Sequence, residues 1–464
     1  MLGSMYGLHT TLGRFQWRTC KHFSVIRALL KSADSKCYRR DISIDCLSQN
    51  SYQDSQSSIC PEFDWDYLCN PENTLEIKEN IRNRKGIGDI DAVHRLWNDV
   101  SREDNSMKKQ GLIDKLKSLA ADIPNKIHPL APIGNESCNR VVKTFGKESV
   151  NVGKVKGVVE IGEKAGWLRT SNVGTTTGQR SYYFLNQLAR LELALVNYCL
   201  DKLRLEGFQL VSVPEILRPE IIEGCGFKTT GQRTQVYKLD AKRHGSACLS
   251  GTSEMALAGY FQNQEFSLQD LPIKLTAVSR CHRAEISELE EEKGIYRVHN
   301  FTKVEMFSVV AQETGKESDD SLQEFIDLQT DLYQSLGLHC RLLDMASQEL
   351  GAPASRKFDY ETWMPAKGFW GEISSASNCT DYQSRRLGAK YKNKADQLTY
   401  VHTINGTACA VPRLVMAIIE NNQLPNGSVL LPQVLHPYFQ GSLLTVEPKS
   451  LNHWKKSLTP FTVQ

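Results

Sequence analysis

Apolar residues along this chain follow two rhythms, one of helical spacing and one of short strand-like runs. Residues 185–207 carry the broadest helical stripe. Leu188, Leu191, Leu193, Leu195 and Leu200 supply it over a helix of roughly six turns. Residues 208–214 follow as a strand ending at Pro214. Nearer the N-terminus, 72–85 and 89–103 have helical composition. Residues 109–121 (KQGLIDKLKSLAA) place Leu112, Leu116 and Leu119 near one face before Pro124 stops the run. Residues 255–261 and 414–421 also read as helices, and 273–278 as an apolar strand.

The pattern changes character over residues 279–307. The strand runs into Arg283-Ala284-Glu285, crosses a charged turn, and returns through Arg297-Val298-His299-Asn300-Phe301 to Lys303 and Glu305. Two strand-like segments around a polar loop predict an antiparallel hairpin. Residues two apart share a face, so Arg283 and Glu285 are expected to point together. The same holds for Arg297, Phe301 and Glu305, with His299 and Lys303. A face bearing Arg, Glu and Phe does not suit an apolar core, because buried charges need partners. It suits a phosphate-rich, aromatic-bearing ligand, with guanidinium for phosphate, Phe for a base and carboxylates for amines. The plainer alternative is a solvated hairpin with cross-strand ion pairs.

Composition narrows the field. The chain has 464 residues, 40% hydrophobic and 23% charged, which leaves room for two or three domains. A net charge of +3 means that any nucleic-acid contact has to come from local patches. No apolar run approaches the roughly 18 residues of a membrane span, so no membrane partner is expected. Thirteen cysteines without a C-x-x-C pair point to free thiols in a reducing compartment, not a disulfide frame or a zinc site. Residues 1–40 have no acid before Asp34 but carry Arg14, Arg18, Lys21, Arg27 and Lys31, which predicts a mitochondrial transit peptide. The alternative there is a disordered basic tail. Residues 41–62 read as linker.

Two further stretches carry chemistry. One is Glu372-Ile373-Ser374-Ser375-Ala376-Ser377-Asn378-Cys379-Thr380-Asp381-Tyr382-Gln383-Ser384-Arg385-Arg386, and the other is Asn405-Gly406-Thr407-Ala408-Cys409-Ala410-Val411-Pro412-Arg413 running into a helix. With the hairpin, they resemble the ATP strand, motif 3 and motif 2 of class II aminoacyl-tRNA synthetases in their seryl branch. The wording is nearest to the animal mitochondrial members, and the likeness is dense over about 170–440. Helix 185–207 and its strand look like motif 1, which builds a dimer interface in that class. Alone, they read as an amphipathic helix and edge strand.

The resemblance implies an α+β fold, with an antiparallel sheet flanked by helices and a short helical N-terminal domain before it. It divides the chain into a helical tRNA-binding arm at 63–128, a connecting segment at 129–169, a catalytic domain at 170–440 and a tail at 441–464. The implied reaction activates L-serine with ATP to seryl-adenylate and transfers it to mitochondrial tRNA(Ser), in the matrix and as a homodimer. Arg283 and Arg413 would be catalytic. ATP would meet Arg283, Ala284, Glu285, Arg297, Val298, Phe301, Glu372, Ile373, Ser374, Ser375 and Arg413. Serine would meet Thr252, Ser253, Glu254, Glu305 and Thr407, and Glu372 with Ser375 would hold Mg²⁺. On local chemistry alone, Thr252-Ser253-Glu254 reads as a helix N-cap.

The chain departs from the family's pattern in places. The arm's helices are only about 15 residues, or about 22 Å, long. The motif 2 turn carries Glu288, Glu290, Glu291 and Glu292, and His282 and Ser253 stand where relatives have Phe or Tyr, and Ala. A non-catalytic, synthetase-like binding partner is the competing reading.

Overall fold

The computed structural model describes residues 61–147, 155–171, 173, 176–231, 234–286, 289 and 293–445. The expected presequence, nearly all of the expected linker, Glu288, Glu290, Glu291, Glu292 and most of the tail lie outside the described residues.

Eight strands build the central sheet: β1 (Arg140–Phe145), β2 (Gln209–Leu210), β3 (Ile273–His282), β4 (Asn300–Val310), β5 (Cys340–Asp344), β6 (Arg356–Met364), β7 (Phe369–Thr380) and β8 (His402–Ala410). Their spatial order is β1-β5-β6-β7-β8-β4-β3-β2. The pairs are antiparallel except at the β2 edge, where Gln209 lies beside Leu275 in parallel. The architecture is the expected α+β sheet with flanking helices. Strand β1 comes from the stretch read as a connector, so the sheet begins well before residue 170.

The helices in chain order are α1 (Thr74–Asn83), α2 (Ile90–Arg102), α3 (Ser106–Ala121), α4 (Gln187–Leu205), α5 (Ser253–Tyr260), α6 (Glu317–Ser335), α7 (Tyr382–Leu387) and α8 (Val411–Asn421). Helices α4, α6 and α8 cover one face of the sheet. There Leu191, Leu195, Phe325 and Leu332 meet Met306, Ile373 and Ile404 in one core. Helix α4 buries Leu188, Leu191, Ala194, Leu195, Tyr198, Cys199 and Leu203. Leu193, expected on that stripe, is 63% exposed, because two residues from Leu191 is across the helix, not along it. Helices α5 and α7 lie on the other face, towards β4 and β8. The rest of that second face is left to polar side chains.

Helices α2 and α3, of 13 and 16 residues, pack on each other and reach about 20 and 24 Å. Helix α3 buries Ile113, Leu116 and Ala120, so the apolar face is rotated from the expected Leu112–Leu119 line. This helical segment is tied to the sheet domain by Arg84, which is only 5% exposed. Its Nη1 donates to the carbonyls of Ala354 at 2.8 Å and Asn125 at 3.0 Å, and its Nη2 to that of Gly351. Asn125 Nδ2 adds bonds to the Pro353 and Cys379 carbonyls at 2.7 and 2.9 Å. Among the described residues no helix is long and apolar enough to cross a membrane. Nine cysteines there are free.

Candidate active site

The hairpin forms as expected, but its strands stop early. The last rungs pair Cys281 with Phe301 and His282 with Asn300. Arg283, Ala284, Glu285, Arg297, Val298 and His299 therefore lie just beyond the sheet, and strand parity is not what gathers them. Local hydrogen bonds do this instead. The Arg283 N–H donates to the His299 carbonyl at 2.9 Å, and the Ala284 N–H to the Gln235 carbonyl at 2.9 Å. Arg297 Nη1 lies 3.6 Å from Glu285 Oε2. The Arg283 guanidinium donates through Nε to the Gly251 carbonyl at 3.2 Å and sits over the Phe301 ring at 5.3 Å. A cleft of about 270 Å³ opens between Arg283, Glu285, Arg297, Val298, Phe301 and Arg413.

The neighbouring strand β7 holds a bulge. Its register passes from Asp359↔Ser375 and Tyr360↔Ser374 to Glu361↔Glu372, which leaves Ile373 as the extra residue. Residues 372 and 375 would face opposite ways on a regular strand, and the bulge returns them to one face. Ile373 is buried in the helix-side core, and the Ser374 hydroxyl donates to the Thr407 carbonyl at 2.7 Å. Neither side chain reaches the cleft, so only the backbone of these two expected ATP residues is available there. Arg413, in the first turn of α8, reaches Glu372 Oε2 at 3.2 Å and its carbonyl at 2.9 Å, and its guanidinium stacks 4.5 Å from the Tyr296 ring. Burial alone would raise the Glu372 pKa, but Arg413, Lys357 and Arg283 override it and hold it at about 2.

An acidic recess adjoins this cleft. Thr252 caps α5, its side chain accepting from the Glu254 N–H at 3.2 Å, so the N-cap expected from local chemistry is present. The cap turns Glu254 inward, where it is 4% exposed and accepts from Gln383 Nε2 at 2.7 Å. Thr403 in turn donates to Gln383 at 2.8 Å. Glu305 on β4 lies opposite Thr407 on β8, and both are buried. The Ser253 hydroxyl is engaged with that of Ser279 at 2.6 Å, outside the recess chemistry. Burial, then the neighbouring Glu305, pushes Glu254 up to about 7, against Lys303, Gln383 and Arg283. Burial also raises Glu305, opposed by Lys303 and Arg283.

The structure thus brings Arg283, Glu285, Arg297, Phe301, Glu372, Ser375 and Arg413 to one sheet end, with Thr252, Glu254, Glu305 and Thr407 beside them. Sequence reasoning assigned nothing to three residues that shape the site: Tyr296, Gln383 and Lys303. The parity of Lys303 with Phe301 and Glu305 signalled its face. Tyr296 and Gln383 carry no periodic signal, because their partners are remote in sequence.

The family model of the tRNA synthetase class II core domain (G, H, P, S and T) matches residues 237–422. Mitochondrial serine–tRNA ligase of Mus musculus is 44% identical over 72% of this chain, which spans 64% of that relative's length. Serine–tRNA ligase of Treponema denticola is 34% identical, covering 80% of this chain and 98% of that protein. The crystal structure of seryl-tRNA synthetase from Pyrococcus horikoshii complexed with ATP superposes with a TM-score of 0.72 at 27% identity, over 82% of this chain and 99% of that one.

Proposed function

This chain belongs to the serine–tRNA ligase family of class II synthetases, and on that premise we propose that it activates L-serine with ATP and transfers the seryl group to tRNA(Ser). The observation that carries the reading is the place of Arg283. Its charge acts on Glu254, Glu305 and Glu372 alike, at the junction of an acidic recess and a cationic, aromatic cleft. Attack of a carboxylate on an α-phosphorus joins two anions, so catalysis needs cations and orientation more than a covalent nucleophile. Arg283 answers both anions, the serine carboxylate and the α-phosphate. Phe301 offers a ring for adenine, and Glu285 and the Val298 backbone, beside that of Ala284, offer groups to its edge. Arg297 and Arg413 meet the outer phosphates.

Glu254 and Glu305 receive the serine ammonium, and Thr407, with Thr252 beside it, meets the hydroxyl. Such a recess rejects alanine, which leaves those polar groups buried and unanswered. Glu372 and Ser375 fit Mg²⁺: two hard oxygens share a face, and Glu372 stays ionised. No cluster of three or more His, Cys, Asp or Glu side chains stands ready for a metal among the described residues. That suits an ion that takes its other ligands from the triphosphate and water, and bound there it would neutralise phosphate charge.

The relatives' mitochondrial names, with the basic, acid-poor first 40 residues, support work in the mitochondrial matrix. The dimer reading rests on α4 and β2, where Leu193, Leu205 and Leu210 are exposed. Serine-dependent ATP–pyrophosphate exchange, followed by charging of tRNA(Ser) transcripts, tests the reading. An inert protein that takes up no magnesium nucleotide would overturn it in favour of a non-catalytic partner.

A further inference from the structure

Lys303 stands inside the recess without a part in the chemistry above. Its side chain is 7% exposed and ion-paired with Glu305, and its Nζ donates to Thr252 Oγ1 at 2.8 Å. It thus touches two of the groups assigned to the amino acid. The charged and titratable groups that face the recess carboxylates are Lys303, Arg283, Cys225, Cys281 and Cys379. Burial pushes all three thiols up, so they stay uncharged. Arg283 is committed to the anionic ends of the substrates. What remains in the recess is two carboxylates and one built-in cation.

We propose that Lys303 is a specificity-determining, positioning residue: it cancels one of the two recess carboxylates, so that the pocket admits a single substrate ammonium and keeps its other contacts for a hydroxyl. The inference rests on the serine-activating reading. Two carboxylates without Lys303 would call for a second cation or for a proton. A neutral side chain at 303 therefore opens the place beside Glu305 to a substrate carrying a second ammonium. L-2,3-diaminopropionate is that probe, being serine with an ammonium where the hydroxyl stands. The direction of the carboxylate shifts agrees, because Lys303 lowers both Glu254 and Glu305.

The test measures ATP–pyrophosphate exchange by the full chain, with its Lys303→Met, Lys303→Gln and Lys303→Arg variants. Two quantities are read: the ratio of the inhibition constant of L-2,3-diaminopropionate to the KM for serine, and the acid limb of kcat/KM for serine. In the neutral variants we expect the ratio to fall about tenfold or more, the effect of one opposite charge at contact distance. We also expect the acid limb to move to higher pH, and Lys303→Arg to keep both at the parent's values. A purely structural role would weaken serine and the diamine together and leave the ratio unchanged. That result in either neutral variant, with a normal melting curve, overturns the proposal. Should neither neutral variant fold, Lys303→Arg decides, since an altered ratio with the charge retained also overturns it. If the parent shows no serine-dependent exchange, it is the activity reading that fails.

Discussion

Replacing Glu254 by Gln should make this protein more stable at neutral and alkaline pH while abolishing serine activation. Glu254 is buried, and that burial together with Glu305 lifts its pKa from 4.5 to about 7. The folded state then holds a proton that the unfolded chain has released. Stability falls with pH wherever the folded state binds more protons, so the loss begins near the unfolded value, grows through the interval and saturates above the folded one. At 1.36 kcal/mol per pKa unit, the interval from 4.5 to about 7 corresponds to about 3 kcal/mol at saturation. Gln keeps the shape, carries no charge, and its amide oxygen can still accept from Gln383. The assay is the difference in urea midpoint between Glu254→Gln and the parent, without ligands, at pH 5 and pH 8. We expect a gap near zero at the lower pH and a clear gain for the variant at the higher one. A pH-independent gap would refute the reasoning, as would a variant less stable at pH 8. The cost of keeping this acid in the recess is what the substrate ammonium offsets when it binds.

Arg283→Ala should cut exchange by about a thousandfold, or about 4 kcal/mol of transition-state stabilisation, with the melting temperature nearly unchanged. The side chain's ties to the fold, a bond to the Gly251 carbonyl and a contact with Phe301, are few. Phe301→Ala should raise the KM for ATP about tenfold through lost stacking and leave the KM for serine near the parent's value, both read in the same exchange assay. Arg84→Met should cost about 3 kcal/mol, because the Ala354, Asn125 and Gly351 carbonyls lose their donor. Faster hydrogen exchange and proteolysis confined to residues 65–121 would report it.

Much of this protein was legible in the order of its residues. The hairpin, the N-cap at Thr252, the helix following Arg413 and the shared face of Phe301, Lys303 and Glu305 all follow from periods of two or 3.6, which operate over a few residues. The resemblance to the family supplied roles for side chains that periodicity could only place. What tertiary structure alone decided has a common cause, which is pairing between distant segments. The bulge at Ile373 appears only once β7 is laid against β6, and it brings Glu372 and Ser375 to one face while sending Ile373 and Ser374 to the other. Arg283, Glu285 and Arg297 meet through bonds formed beyond the strand ends, where strand parity no longer applies. The tethering of the helical segment by Arg84 depends on carbonyls some 270 residues away. The charge balance of the recess needs Glu254 from a helix cap, Glu305 and Lys303 from a strand, and Gln383 from another helix in one small volume. Local sequence sets which way a side chain leaves its own element; which charges then share a low-dielectric space is settled by packing.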